Sequence, residues 1–395
     1  MLRVAIFFGG VSVEHEVSTI SGLQTLHAAD KSKYQMIPVY IAKDGKWYSG
    51  DRLKDISNYK DLPALLSSCD EVYLSPIRGT SELRYVKSGL LGRRGSIEID
   101  VCFPVLHGTY GEDGCLQGLF ELANIPYVGC NVVSSAVGMD KVVMKEVFRS
   151  IGLPVVESTW FHASEYADDK AAIHRSIEEH VGLPCIVKPA VLGSSVGIKV
   201  AHTKDELEQA IEFSLQFCTK LLIERYVSNM FEVNCSVLGS DRYQKTSVLE
   251  RPLTSGEILD FKDKYEREGS GAKGGLQAMV REIPAKIPDA LTAEISSMAK
   301  KAYRQLDCSG VCRLDFIVEK DSGKAYINEL NNIPGSLSFY LWEKTDLPYD
   351  RLVDELIEIA LANYRRKTQI VYTHETNLFS LHSKGGGAKG GSKSR

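Results

Sequence analysis

Two triplets in the last quarter of the chain gather the residue types of a metal-phosphate site. In Arg313-Leu314-Asp315 the outer side chains lie two positions apart and share one face of an extended strand; Glu329-Leu330-Asn331 repeats that spacing on a second run. Asp321-Ser322-Gly323-Lys324 between them has the composition of a hairpin turn, which puts the triplets on partner strands. Two carboxylates, an amide oxygen and a guanidinium converging there form a hard oxygen site suited to Mg²⁺ with bound phosphate. A merely solvated sheet face with an Arg–Asp ion pair fits less well, because Leu314, Phe316, Leu330 and Pro334-Gly335 frame the triplets.

Three further stretches carry chemistry. Lys188-Pro-Ala-Val-Leu-Gly193-Ser194-Ser195-Val-Gly197 combines a cation, a glycine that permits close backbone approach and two hydroxyls, the makings of a flap over phosphate, although it lacks the Gly-Lys-Ser/Thr end of the ordinary P-loop. Lys141, in Met139-Asp140-Lys141 at a helix start, offers a second cation. Gly9-Gly10-Val-Ser-Val-Glu14-His15-Glu16 and His107-Gly-Thr-Tyr-Gly-Glu112-Asp113-Gly114 each follow an apolar strand run, where loops line a ligand crevice and a carboxylate suits an ammonium group. The competing roles for these acids are helix-dipole stabilisation and turn capping.

Elements must hold these stretches in place. Val4 to Phe8, Met36 to Ile41 and Val101 to Leu106 read as strands and Glu16 to Ala29 as a helix, an order that predicts a parallel sheet with crossover helices. After Gly129 comes a helix from Lys141 to Ile151, stopped by Gly152 and Pro154, then strands near Val155, at Cys185 to Val187 and at Leu221 to Glu224. A third, strand-rich unit contains a helix over about Pro288 to Leu306, followed by the hairpin of Val311 to Val318 and Ala325 to Leu330. Glu266 to Lys273 is a Gly-rich charged loop expected to act as a lid, and the Gly/Lys/Ser segment after Ser383 is expected to be a flexible tail.

The chain has 395 residues, enough for two or three domains, and its 44 % hydrophobic and 25 % charged residues are those of a globular protein. The net charge is −4, but Lys384, Lys389, Lys393 and Arg395 stand in an acid-free end, so the rest of the chain is the more acidic. Bulk attraction to nucleic acid or to an anionic membrane is therefore excluded as the main function. The nine cysteines are scattered and suggest no disulfide framework; Cys308 and Cys312, four apart with no matching pair, read as small packing residues. No apolar run approaches a membrane span or signal core, and a reducing cytoplasm is expected.

Taken together the motifs resemble the D-alanine-D-alanine ligase family of the ATP-grasp superfamily. The resemblance spans Leu2 to about Tyr364 and rests on GGVSVEHEVS at 9–18, HGTYGEDG at 107–114, MDK at 139–141, KPAVLGSSVG at 188–197, IERY at 223–226, DFKDKY at 260–265, RLD at 313–315 and NELNNIPG at 328–335. It implies an α/β ATP-grasp fold of three domains. A Rossmann-like parallel sheet would occupy 1–128, a central ATP-grasp subdomain 129–229 and a C-terminal ATP-grasp domain 230–373, with the tail at 374–395. ATP would lie between the central and C-terminal sheets. Lys141, Lys188, Ser195 and Lys264 would meet its phosphates, Glu224, Tyr226 and Val227 the adenine, and Glu232 the ribose. Asp315, Glu329 and Asn331 would hold two Mg²⁺ (or Mn²⁺) ions. Glu14 would take the ammonium of a first D-alanine, Ser194 and Tyr265 would link it to the lid, and Arg313 with the Gly335 N–H would stabilise an oxyanion.

The implied reaction makes a D-alanyl phosphate from ATP and joins it to a second D-alanine for peptidoglycan synthesis, in a cytoplasmic homodimer. Tyr265 favours an amino acid over D-lactate as second substrate. One departure bears on that substrate: Ser336 to Trp342 replaces the family's usual Ser-His-Ser stretch, leaving His107, Ser338 and Tyr340 as the residues to meet it. The alternatives are a ligase for another D-amino or hydroxy acid, such as D-serine or D-lactate, and a non-catalytic nucleotide-binding protein on the same fold.

Overall fold

The computed structural model describes residues 1–86, 95–193, 196–253, 281–374 and 376. The lid expected at 266–273, the tail beyond 383, and Ser194, Ser195, Lys264 and Tyr265 lie outside them.

The N-terminal unit holds β1 (Leu2–Gly9), α1 (His15–Ala28), β2 (Tyr34–Ile41), β3 (Trp47–Ser49), α2 (Leu62–Ser67), β4 (Asp70–Leu74), β5 (Glu82–Tyr85), β6 (Ser96–Glu98), β7 (Val101–Pro104) and α3 (Cys115–Ala123). Its sheet runs β6-β5-β4-β3-β2-β1-β7. β1 is parallel to β2 and to β7, as the alternation of strand and helix requires. The expectation of a wholly parallel sheet is corrected beyond β2: β3 to β6 form an antiparallel meander. The turn at Asp44-Gly45, with Gly45 at φ 85°, returns the chain directly into β3 and leaves no room for a crossover helix. Val4 to Phe8 are fully buried because both faces of β1 are covered.

α4 (Val132–Met139) and α5 (Lys141–Ser150) lead out of this unit. Each is capped by the residue before it: Asn131 accepts from Ser134 N–H, and Asp140 from the N–H groups of Val142 and Val143. A second sheet, ordered β10-β9-β11-β8 and antiparallel throughout, follows from β8 (Ser158–His162), α6 (Ala163–Asp168), α7 (Lys170–His180), β9 (Cys185–Pro189), β10 (Lys199–Ala201), α8 (Lys204–Ser214) and β11 (Lys220–Arg225). The strand expected near Val155 begins instead at Ser158, because the Pro154 carbonyl accepts the Ile327 N–H and ties this stretch to the third sheet.

The third sheet, β13-β12-β16-β17, contains β12 (Met230–Gly239), β13 (Gln244–Thr246), β16 (Gly310–Glu319) and β17 (Ala325–Asn331). The short β14 (Arg251–Pro252) and β15 (Arg281–Glu282) pair beside it, and α9 (Asp289–Gln305), α10 (Phe339–Glu343) and α11 (Tyr349–Lys367) complete the chain's regular structure among the described residues. α9 packs Ile295, Ala299 and Tyr303 against the core face of this sheet. α11 packs Leu352, Val353 and Leu356 into the core of the first unit. The second and third sheets face each other across a cleft.

Candidate active site

The cleft encloses about 980 Å³ of space, counting the part open to solvent, and its lining is part apolar and part charged. Val156, Val227, Met230, Ile317 and Tyr326 form an apolar cluster. Tyr226 and Glu232 also line the cleft, Glu232 directly opposite Ile317 of that cluster, and Lys141, Lys188, Glu224, Asp315 and Glu329 are its charged residues. Val227, Glu224 and Lys188 are buried in the walls. A lining that joins an apolar cluster to a group of cations suits a ligand with an aromatic part and an anionic part.

Glu224 sits between two cations. Lys145 Nζ is 2.6 Å from Glu224 Oε1, and Lys188 pairs with the other carboxylate oxygen. Burial alone would push the Glu224 carboxyl up, but the two ammonium groups outweigh it and hold it at about 2. Burial likewise works against the charge on Lys188, and Glu224 more than restores it. Lys188 therefore stays cationic at the wall, with Asn328 Oδ1 3.5 Å away. Lys145 is a site residue that the motifs did not single out. Its signal was its place four residues after Lys141 on α5, which puts both ammonium groups on one helix face.

Arg313 pairs with Asn331, and Asp315 with Glu329, directly across β16 and β17. Between Asp315 and Phe316 the register shifts, leaving Asn328 as an extra residue on β17. This bulge puts Asn328 and Glu329 both on the cleft side while Ile327 and Leu330 stay in the core. Under strict alternation Ile327 and Glu329 would share a face. Arg313 Nε and Nη2 donate to the two Asp315 carboxylate oxygens at 2.7 and 2.8 Å, and Asn331 Nδ2 donates to Asp315 at 3.0 Å. Lys141 Nζ lies 3.7 Å from Glu329 and donates to the Leu192 carbonyl at 2.7 Å. Asp315, Glu329 and Asn331 thus present carboxylate and amide oxygens from adjacent strands, a donor set that fits a hard divalent cation.

A second cavity of about 440 Å³ shares Lys141, Gly193 and Glu329 with the cleft and is lined also by Glu14, Glu112 and Asn331. Glu14 takes the N-cap position of α1 without a side-chain capping bond and is only 7 % exposed. Backbone approaches it closely on two sides. A Cβ at Gly193 would stand 2.7 Å from Glu14 Oε2, and one at Gly108, at φ 73°, 2.9 Å from it. Burial and the charge of Glu14 push the Glu112 carboxyl up to about 8, against the N–H groups of Gly108 and Ile333 that it accepts.

The loop after β17 is held from the first unit. His107 Nδ1 is 2.9 Å from the Ile333 carbonyl, which can only accept, so Nδ1 carries the proton and Nε2 accepts from Ser21 Oγ at 3.0 Å. Burial lowers the His107 pKa to about 4, so the ring is neutral. Both its nitrogens are engaged in positioning this loop. Ser336 N–H donates to Ser21 Oγ, Ser336 Oγ to Gln24, and Asn332 Nδ2 to the Glu112 carbonyl. Gly335 opens the turn that follows, in which Ser336, Leu337 and Ser338 all have φ near 50°. Ser338 Oγ is buried without a hydrogen-bond partner among the described residues. Tyr340 donates to Glu250 at 2.9 Å beneath Arg281, 4.8 Å from its ring. Glu250 and Arg281 stand outside every motif and carry no signal in the sequence.

Comparison with known proteins gives a consistent picture. The family models for the D-ala D-ala ligase N-terminus and C-terminus match residues 3–130 and 147–358. A curated relative from Caldicellulosiruptor bescii named D-alanine--D-alanine ligase is 40 % identical over 380 residues, covering 95 % of this chain and 99 % of the relative. Among solved structures, the D-alanine-D-alanine ligase from Coxiella burnetii is 27 % identical with a TM-score of 0.77, covering 97 % of this chain and 99 % of its own. The VanG D-Ala:D-Ser ligase from Enterococcus faecalis is 30 % identical with a TM-score of 0.76, covering 91 % of this chain and 99 % of its own.

Proposed function

The chain belongs to the D-ala D-ala ligase family, and from that premise we propose that it is an ATP-dependent D-alanine–D-alanine ligase making the dipeptide for peptidoglycan precursors. The observation that carries this reading is the joining of two cavities at Lys141, Gly193 and Glu329, one lined by an apolar cluster and a group of cations and the other by Glu14. That arrangement brings a nucleotide's terminal phosphate to the carboxylate of an amino acid held by its ammonium group.

ATP would lie with its base against Val227, Tyr226 and Glu224, its ribose at Glu232 and its phosphates at Lys141 and Lys188; Lys264 and Ser195, also expected at the phosphates, lie outside the described residues. Asp315, Glu329 and Asn331 would hold two Mg²⁺ ions, which would supply charge neutralisation to the phosphates. Glu14 binds the first D-alanine's ammonium. The carboxylate oxygen of that D-alanine attacks the γ-phosphorus as ADP leaves, giving D-alanyl phosphate; Ser194 and Tyr265, expected to link this pocket to a lid, lie outside the described residues. The amine of the second D-alanine then attacks the acyl carbon, and the resulting oxyanion is met by Arg313 and the Gly335 N–H before phosphate departs. Asp315 keeps the guanidinium plane fixed for that role.

Ser338 and Tyr340 flank the second-substrate end, and His107 sets the loop between them and Glu112. The enzyme acts as a cytoplasmic homodimer; no helix among the described residues is long and apolar enough to cross a membrane.

The test is a product-mass screen. Purified protein with ATP, Mg²⁺ and equal D-alanine, D-serine and D-lactate should give mainly D-alanyl-D-alanine with matching ADP release. Mainly D-alanyl-D-serine or D-alanyl-D-lactate would replace the proposal with the corresponding ligase, and no D-alanine-dependent ADP would leave a binding protein.

A further inference from the structure

Cys308 and Cys312 gain a third partner that their spacing does not reveal. Cys130 stands 182 positions before Cys312, in the short link into α4; Cys308 lies just past α9; and Cys312 is on β16, one residue before Arg313. Their sulfur atoms all lie within 4.8 Å of one another, with Cys130 Sγ and Cys312 Sγ 3.4 Å apart. None is more than 3 % exposed. Among the described residues no other trio of His, Cys, Asp or Glu is gathered as a metal-sized cluster. The cover over it is thin, since Asn131 and Asp307, the neighbours of two of the thiols, close on each other by a 2.9 Å hydrogen bond at the surface.

We propose that Cys130, Cys308 and Cys312 form a three-thiolate site for a soft d¹⁰ cation, separate from the oxygen site at Asp315, Glu329 and Asn331. Metal–sulfur bonds of about 2.3 Å set the sulfurs of a trigonal site about 4 Å apart, within sulfur shifts of less than about 1 Å from their present places. Thiolate sulfur selects closed-shell thiophilic ions over the Mg²⁺ class. Each thiol binds with loss of its proton, so uptake releases protons to solvent. The consequence is mechanical. Cys130 adjoins Asn131, the cap of α4, and α4 leads into α5 with Lys141 and Lys145; Cys312 lies on the core face of the strand whose other face carries Arg313 and Asp315. A bound ion staples these two parts of the site together from behind.

The experiment titrates the reduced, metal-free full chain with Cd²⁺, read by the near-ultraviolet sulfur-to-cadmium charge-transfer band, X-ray absorption and the thermal midpoint. One equivalent should give the band, a shell of three sulfur neighbours and a raised midpoint. Cys130→Ser and Cys312→Ser, each checked for folding by far-ultraviolet circular dichroism, should lose the band, while Cys115→Ser, at an exposed thiol, should keep it. A wild-type protein without a one-equivalent band, a band that survives in both folded core variants, or a shell dominated by oxygen or nitrogen would overturn the proposal.

Discussion

At the scale of single residues the cleft depends on where charge is allowed to stay buried. Glu224 has two lysines for one carboxylate, so the Lys145–Glu224–Lys188 group brings a net positive charge to the cleft wall. Lys145→Met leaves Glu224 with one cation. Removing one member of a buried pair costs about 3–5 kcal/mol, so a lower thermal midpoint is expected. Because Lys188 then serves Glu224 alone, KM for ATP should rise more than kcat falls; steady-state kinetics at varied ATP checks this. Much of this was legible in the sequence. Lys141, Lys188, Asp315 and Glu329 stand in motifs whose residue types announce phosphate and metal chemistry. Lys145 was less so, because its spacing from Lys141 gives only a shared helix face until the fold brings a buried acid to it.

The elements convert these residues into a site, and here the sequence spoke less clearly. Alternation placed Arg313, Asp315, Glu329 and Asn331 on one face, but the bulge that adds Asn328 to that face follows from pairing between β16 and β17 and has no local signature. The antiparallel meander of β3 to β6 was similarly hidden, since short polar strands carry little periodicity. Gly108→Ala adds a methyl where the backbone is left-handed and Glu14 is close. KM for the first D-alanine should rise at least several-fold while KM for ATP stays nearly constant. His107 joins the loop after β17 to α1 only as a neutral ring. Its folded pKa of about 4 lies below the ordinary 6.5, so its contribution is complete above about pH 6.5 and is lost as pH falls toward 4, about 3 kcal/mol in all. His107→Gln, measured by thermal unfolding across that range, should flatten this part of the stability curve.

At the scale of the whole molecule, three sheets meet at two joined cavities. The unit of the first supplies Glu14 and Glu112, the second Lys188 and Glu224, the third Asp315, Glu329 and Asn331, with Lys141 arriving on the connecting helix. The small acidic excess of the chain says nothing of this; the arrangement of a few buried cations against a few buried acids says most of it. Such a meeting of units brings an amino-acid carboxylate, rather than water, to the terminal phosphate. The direct measurement is the fate of oxygen-18 from the carboxylate of labelled D-alanine during turnover with ATP. One labelled oxygen should appear in inorganic phosphate for each dipeptide formed, the signature of a D-alanyl phosphate. Label in AMP, or dipeptide formed with unlabelled phosphate, would contradict the acyl-phosphate route.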